Sequence, residues 1–455
     1  MIYIVLYTAF FAALAIATLR HPALGFTATM VVFGIEQAAQ GLHPFFVSHD
    51  RLTNYACALI AGEALVVSLF RGGGLDSLKS RISQLVCVLL AYATASVLWS
   101  VAPTWTISRM QQSAPYVIAL GLLAPLVVKS IKDLRTALLG IGGVATGIAL
   151  LAAFVLDWSG RGIRLQVEGT ANLAIDVASN ALAISQLAGY MLIIVLMLRT
   201  NTNPLGLPKA VSLAMRICLS LVAIYVIVQS GSRGQLLGVL VAIPLFFLLN
   251  LGTLRLRTIG QLLVGMGAMA ALIYFAVIQI GMSERWNIQN AIEVYQATRI
   301  ETSMQLLGHW VDAGPFYWLF GLGSSASFAP DLLGFYPHNV PIEILCELGL
   351  IGFALFCCAV GMAFWSLIRA MLRLENDPVS RSALACLGSM LVYDLLLSLK
   401  QGALLGATSL IAMLIVVGGV TRSVHAALDH WERTNSAHFS RGSPSVSATP
   451  TPRIA

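Results

Sequence analysis

The sequence predicts an all-α integral membrane protein of about 12 transmembrane helices, with a long, partly helical loop before the penultimate group of spans. Three observations predict it. Of 455 residues, 58% are hydrophobic and only 10% charged, with a mean hydropathy of +0.83; soluble domains carry about 25% charged residues. Apolar runs of about 18 residues recur from end to end, each long enough to cross a hydrocarbon core about 30 Å thick. None alternates with period two, and lipid offers no partner to open backbone groups, so the runs are helices and not barrel strands.

In chain order the runs fall at 2–19, 22–40, 54–70, 83–99, 114–128, 134–156, 177–198, 211–229, 235–250, 259–280, 342–368, 382–399 and 403–420. The first two, and the last two around "SLKQGALLG", lie close enough to be re-entrant, so 12 complete crossings serve as well as 13. The N-terminal "MIYIVLYTAFFAALAIATLR" lacks a basic leader and a small-residue cleavage site, and reads as a retained first helix.

Loop charge gives the orientation. Arg71, Lys79 and Arg81, then Lys129, Lys132 and Arg135, Arg199 and Lys209, Arg255 and Arg257, and Arg369, Arg373 and Arg381 fall in one alternating set, joined by the segment from Arg422. The other set holds only Arg51, Arg109, Arg161, Arg164, Arg233 and Lys400. The basic set is expected in the cytoplasm, which puts the second set on the outer side. The same bias accounts for the net charge of +7 and argues against a nucleic-acid partner, since no basic face interleaves with aromatics.

Residues 1–421 thus form one polytopic domain, with residues 422–455 as a cytoplasmic, largely disordered tail rich toward its end in Ser, Pro and Thr. Residues 281–340 make an outer loop far longer than its neighbours, with helical spacing near 288–311, and are expected to cap the bundle. Its aromatics at 310, 317, 318 and 336 suit an interfacial belt. The seven cysteines lie mostly in apolar runs without metal-ligand spacing, so neither a metal site nor a disulfide framework is expected.

Candidate chemistry concentrates at "GFYPHNVPIEILCELGLIGFALF", residues 334–356. Asn339 suits a helix N-cap and Pro341 the first turn. His338 then stands at the positive end of a helix, where the field favours a neutral imidazole able to accept a proton. Glu343 and Glu347 share a helix face, and Glu343 is placed to orient the ring. The plain alternative is a histidine that closes a loop and glutamates that begin a helix.

A second stretch, "SGSRG" at 230–234, turns between two apolar runs with almost no loop. Arg233, two serines and two glycines at a helix start offer donors to an anion, and a guanidinium suits phosphate; snorkelling to the headgroup level is the alternative. Arg161 and Arg164 share that side and could add charge to the same anion, with salt bridges to the flanking Asp157 and Glu168 as the alternative, and Lys400, in a short outer turn, is a further candidate to touch it. Glu36, Glu63, Arg216 and Asp394 lie within or at the ends of spans, without the paired positions of a transporter's two halves, and read as buried polar contacts.

His338-Asn339, nine residues, Gly349, two residues and Gly352 resemble the H-[NSQ]-x9-G-x-x-[GTY] pattern of O-antigen ligases and the related bacterial O-linked oligosaccharyltransferases. "SGSRGQLLG" at 230–238 is similar to the Ser-Arg-Gly signature of the region these share with O-antigen polymerases, and "GLGSSASF" at 321–328 to their Gly-x-Gly turn. The resemblance covers roughly residues 220–368. It implies a metal-independent glycosyltransferase without cofactor in the bacterial inner membrane, its active site facing the periplasm. The donor would be O-antigen linked to undecaprenyl diphosphate, and for a ligase the acceptor a sugar hydroxyl of lipid A-core. By the same resemblance His338 is the general base, Arg233 binds the diphosphate with Arg161 and Arg164 as candidates, Asn339 and Glu343 support, and Gly349 and Gly352 shape the motif. The short C-terminal segment favours a ligase over a protein-glycosylating relative; an O-antigen polymerase, or a flippase or transporter from another class, stays open.

Overall fold

The computed structural model describes residues 1–72, 74–159, 162–164, 178–199, 208–251, 260, 267, 300–400 and 402–439. These residues are overwhelmingly helical. The long helices are α1 (Ile2–Arg20), α2 (Leu24–Leu42), α4 (Leu52–Phe70), α5 (Arg81–Ala95), α6 (Pro103–Tyr116), α7 (Ile131–Phe154), α8 (Leu182–Met197), α9 (Lys209–Gln229) and α10 (Arg233–Leu251), with a short α3 (Pro44–Ser48). After the 251–300 interval come α11 (Glu301–Asp312), α12 (Pro315–Phe320), α13 (Val340–Arg373), α14 (Pro378–Ser398) and α15 (Thr408–Phe439). Nine helices among the described residues are long and apolar enough to cross a membrane, and Leu182–Met197 and Arg233–Phe247 are shorter apolar helices. The expected run at 259–280 lies outside the described residues, apart from two helical positions.

Local chemistry sets the boundaries. Ser130 and Asp133 form a reciprocal capping box that starts α7, satisfying backbone donors that the first turn leaves unpaired. Asp377 caps α14 by accepting from the N–H groups of Val379 and Ser380. The run expected at 114–128 begins earlier, at Pro103, and passes through a wide turn at Val117–Leu123 into a tight one at Ala124–Val127. Pro115 and Pro125 explain the irregularity, because neither can donate to the helical ladder.

The helices pack around one large apolar core. α2 packs on α4, α7 and α8; α10 lies along α14; α13 packs on α5 and α15. The charge partition of the loops becomes a partition in space. At one end Arg71 donates to the carbonyls of Leu19 and Arg20, Lys129 to Ser68, and Arg422 to the carbonyl of Asp76. At the other end Val101 bonds Leu322, Ser324 bonds Ser96, Lys400 bonds Ser232, and Leu404 bonds Glu343. We refer to these as the basic end and the His338 end.

The all-α expectation holds for the described residues apart from one small sheet, and the expectation for the C-terminal segment is corrected. The fold is not wholly helical: β1 (Trp158–Ser159), β2 (Gly162–Arg164) and β3 (Ala178–Asn180) form an antiparallel sheet in that order, with Trp158 opposite Ile163 and Arg164 opposite Ala178. Strands of two or three residues carry no periodicity to read, and this sheet is anchored by Ile163, which is buried against Gly41 at the end of α2. The segment from residue 422 is also not disordered throughout, since α15 continues to Phe439. Arg373 holds it by ion pairs of 2.7 Å to Asp429 and 2.8 Å to Glu432. Of the long 281–340 loop, the described residues 300–340 pack on the first half of α13 around a small cluster of Leu306, Leu322, Ala326 and Cys346.

Candidate active site

The site is built on the start of α13. Asn339 has extended backbone and its Oδ1 accepts from the Ile342 N–H at 3.2 Å, while Pro341 occupies the first turn. His338 therefore stands immediately outside a capped helix N-terminus. Its φ is +59°, left-handed for a residue with a Cβ, a conformation costing about 1–2 kcal/mol. The strain is held from both sides, by the Asn339 cap and by Ser303, whose hydroxyl donates to the carbonyl of Pro337 at 3.3 Å. Strain of this kind gathers where a side chain must be aimed. The ring lies 4.3 Å from that of Tyr336 and 6.3 Å from that of Phe335, measured between centroids. Beside it is a cavity of about 100 Å³ whose walls include Ser303, Ile342 and Leu399.

The remainder of the motif is a backbone interlock. Gly349 has φ +65° and ψ −170°, so α13 is two helical segments meeting at a break. A Cβ at Gly349 would lie 2.3 Å from the carbonyl oxygen of Leu319, and one at Gly321 would lie 2.2 Å from that of Glu347. The "GLG" turn is thus pressed against the break: Leu322 N–H donates to Cys346 O at 2.9 Å, and Gly323 N–H to Glu347 O at 2.8 Å. Tyr92 and Trp99 donate to the Phe320 carbonyl from α5 and just beyond it. Glu347 is buried, its carboxylate accepting the Ser327 N–H at 3.0 Å and the Ser325 N–H. The second motif glycine, Gly352, leaves room for Leu348 one turn earlier.

Glu343, expected behind the imidazole, does something else. It is 2% exposed, and its Oε1 accepts the Leu404 N–H at 3.2 Å while Oε2 has no partner among the described residues. The inward face of α13 turns this carboxylate toward the 399–407 connection.

That connection links His338 to the arginine turn. Leu399 walls the His338 cavity, and the next residue, Lys400, donates to Ser232 Oγ at 3.3 Å and Gln235 Oε1 at 2.9 Å. Its aliphatic stem lies over Gly234, where a Cβ would fall 2.1 Å from Lys400 Cε. Arg233 opens α10 within this turn, and its Nε is buried without a hydrogen-bond partner among the described residues. An orphaned guanidinium nitrogen at a helix N-terminus, beside a lysine, is a site prepared for an anion. Ser230 donates to Ser185, and Gln235 to Leu182 O, which brings the first turns of α8 to the same end.

Arg164, at the exposed edge of β2, is carried to this end because β3 runs directly into α8. Arg161 lies outside the described residues. Two residues not singled out for the site join it. Arg109 stacks its guanidinium 4.0 Å over the Phe328 ring, which packs on Tyr336 and so reaches His338. Tyr336 belongs to this stack, while Trp310 and Trp318 donate to carbonyls at the α11–α12 corner. The aromatic content of "SFAPDLLGFYPH" is the one signal in the sequence that pointed to such a stack.

The charges within or at the ends of spans are structural where they can be traced. Arg216 donates to the carbonyls of Val195 and Leu198 at the end of α8. Asp394 accepts from Tyr190 and Gln186, and Glu36 from Asn54 and Gln40. No three His, Cys, Asp or Glu side chains converge among the described residues in a way that would hold a metal.

Fold and site together define a polytopic helical membrane protein with a histidine and clustered cations at one end of its bundle. Residues 218–357 match the family model described as Wzy_C, O-antigen ligase, which supports membership of the O-antigen ligase and polymerase superfamily, a class of glycosyltransferase acting on polysaccharide and lipid-linked substrates. The matched region contains Arg233, His338, Asn339, Glu343, Gly349 and Gly352, and excludes Arg109, Arg164 and Lys400. No curated protein matches the chain. A solved structure described as "Structural coordination of polymerization and crosslinking by a peptidoglycan synthase complex" contains a similar chain, at 18% identity and a TM-score of 0.42, covering 76% of this chain and 97% of that one.

Proposed function

We propose that this protein is an O-antigen ligase, an inverting glycosyltransferase that works at the periplasmic face of the bacterial inner membrane. It moves polysaccharide from undecaprenyl diphosphate to a sugar hydroxyl of lipid A-core. The observation that carries this reading is the continuity from His338 through Leu399 and Lys400 to the Arg233 turn, which supports a base and an anion site serving one substrate pair.

The reaction runs in one displacement. The acceptor hydroxyl oxygen attacks the anomeric carbon as the bond from that carbon to the diphosphate oxygen breaks, inverting its configuration. His338 takes the hydroxyl proton, and its position outside a helix N-terminus favours the neutral imidazole that this requires. Negative charge grows on the departing undecaprenyl diphosphate, where Arg233 and Lys400 stabilise it, with Arg164 and Arg161 as further contributors. Holding both lipids against the bundle supplies orientation, with residues 300–340, packed on the first half of α13, beside them. No resident metal or cofactor takes part in this scheme.

The test is transfer by the purified protein, given undecaprenyl-diphosphate-linked glycan and rough lipopolysaccharide. Glycan joined to lipid A-core, without ATP and in the presence of a chelator, is the expected result. Lengthened lipid-linked glycan would mean a polymerase instead, glycan on protein Ser or Thr a protein glycosyltransferase, and flux without a new bond a transporter.

A further inference from the structure

A second cavity lies away from the His338 end. It is at the basic end between α5, α13 and α15, with a volume of about 470 Å³. From the geometry we infer that it binds the phosphodiester head of an anionic phospholipid, in the leaflet that surrounds the basic end.

Its lining changes character along the helix axes. On α13, Arg369, Trp365 and Met362 follow one another at helical spacing along one face, so the wall passes from cationic to apolar within two turns. On α15 the sequence is the same: His425 and Arg422 stand toward the helix end, with Thr421 and then Gly418 further in. Lys79 and Arg81 complete the cationic rim where α5 begins, and Ile82 stands beside them. A cavity between membrane helices with a charged rim and an apolar floor matches a lipid with its head outward and its chains inward, and does not match a free ion. Trp365 is 69% exposed one turn below Arg369, where an indole sits at a membrane interface.

The rim has positive charge to offer. One acid, Asp429, lines the cavity, and Arg373 already pairs with it at 2.7 Å. Lys79 is paired with Asp76, and Arg422 donates to the Asp76 carbonyl. Arg81 and Arg369 make no hydrogen bond or ion pair among the described residues, and both are exposed. A phosphodiester accepting from these two guanidiniums would bridge α5 to α13. α13 runs from Val340, just after His338, to Arg373, so the site would lie at the opposite end of this helix from the proposed base.

The experiment is lipid retention by the full-length protein, read by native mass spectrometry after exchange into detergent with either phosphatidylglycerol or phosphatidylcholine. Preferential retention of phosphatidylglycerol, lost at least about tenfold in the Arg81→Ala/Arg369→Ala double variant, is expected. Inorganic phosphate in excess should not displace the lipid. Equal retention of the two lipids, unchanged retention by the variant, or displacement by phosphate would each overturn the inference. If the double variant does not fold, Arg369→Gln alone in the same assay decides the matter by the same criterion. Glycan transfer is not the readout, so failure of the proposed ligase activity leaves this result interpretable.

Discussion

The two ends of the bundle use charge in opposite ways. At the basic end, several cations are held by structure: Arg373 is clamped between Asp429 and Glu432, Lys79 pairs with Asp76, and Arg71 and Arg422 donate to backbone carbonyls, while Arg81 and Arg369 stay exposed at the cavity rim. At the His338 end the acids are the structural groups. Glu347 and Glu343 are buried on backbone N–H groups, while Arg233 keeps a nitrogen without a hydrogen-bond partner among the described residues and Lys400 meets a hydroxyl and an amide oxygen. Sequence counting sees six Lys and Arg on the second side and calls it charge-poor. What distinguishes the site is that its two nearest carboxylates, Glu343 and Glu347 of α13, are buried, while Asp50, Asp157, Glu301, Asp312 and Asp331 of the same side are exposed elsewhere. A site for a diphosphate needs that arrangement more than it needs a high count.

The contrast fails first if His338 is structural. His338→Ala should lower transfer by about 10²–10⁴-fold, the range of a lost general base, with the thermal midpoint and donor binding kept. Parallel loss of folding and activity would make the left-handed backbone at 338 a structural necessity and nothing more. His338→Asn separates the two further, since asparagine tolerates positive φ but takes no proton at neutral pH.

Next in size is the frame that lets the acids face inward. Gly349→Ala would push a methyl into the Leu319 carbonyl and force a side chain into φ +65°. A loss of at least about 3 kcal/mol is expected, from overlap with backbone that cannot yield and from a strained dihedral. Thermal unfolding in detergent measures it. A variant as stable as the parent would show that the 319–323 and 347–349 segments are not interlocked in solution, and would undercut the placement of His338.

How much of this was legible depends on the range of each interaction. Asn339 as cap and the tight turn at Arg233 are local, and residue types alone point to them, whereas the break at Gly349 falls inside what reads as one continuous run at 342–368. Residues reached through space were harder. Lys400 could be offered for the anion only from its side of the bundle, and its contacts with Ser232 and Gln235 are what place it beside the Arg233 turn. Arg109 is separated from Phe328 by more than 200 positions, so no pattern could pair them. Glu343 was misread for the converse reason: helical spacing gave its face correctly, but not which neighbour fills the space in front of it. The 158–180 sheet was missed because its strands are too short to alternate.

The anion site gives a smaller effect than the base. Arg233→Ala removes charge-assisted hydrogen bonds worth about 1.5–3 kcal/mol, which corresponds to donor binding weaker by about 10–150-fold. The acceptor KM should hold. Arg373→Ala is the paired control at the basic end, where the thermal midpoint should fall and donor affinity stay put. If both variants lower stability and neither changes donor affinity, the difference between the two ends is one of loop composition and has no bearing on substrate.

Arg109 sharpens the comparison most finely, because it lies between the two uses of charge. Its guanidinium is half-exposed, stacked on Phe328 and 3.4 Å from Gln112 Oε1, with no carboxylate among its contacts. A cation over an aromatic ring at a partly exposed position is worth about 0.5–1 kcal/mol. If that stack serves mainly to steady Tyr336 beside the imidazole, Arg109→Gln should reduce kcat by about 2–5-fold, since 1.4 kcal/mol is a factor of ten, and leave donor binding alone. If Arg109 instead contributes to the anion site, the loss should appear in donor binding and shrink as salt is raised. Arg109→Lys divides the cases again. Lysine keeps the charge but forfeits the planar stack, so it should rescue an electrostatic role and fail to rescue a packing one. A fall in stability as large as that of Gly349→Ala would assign Arg109 to structure, and the His338 end would then spend an arginine in the manner of the basic end.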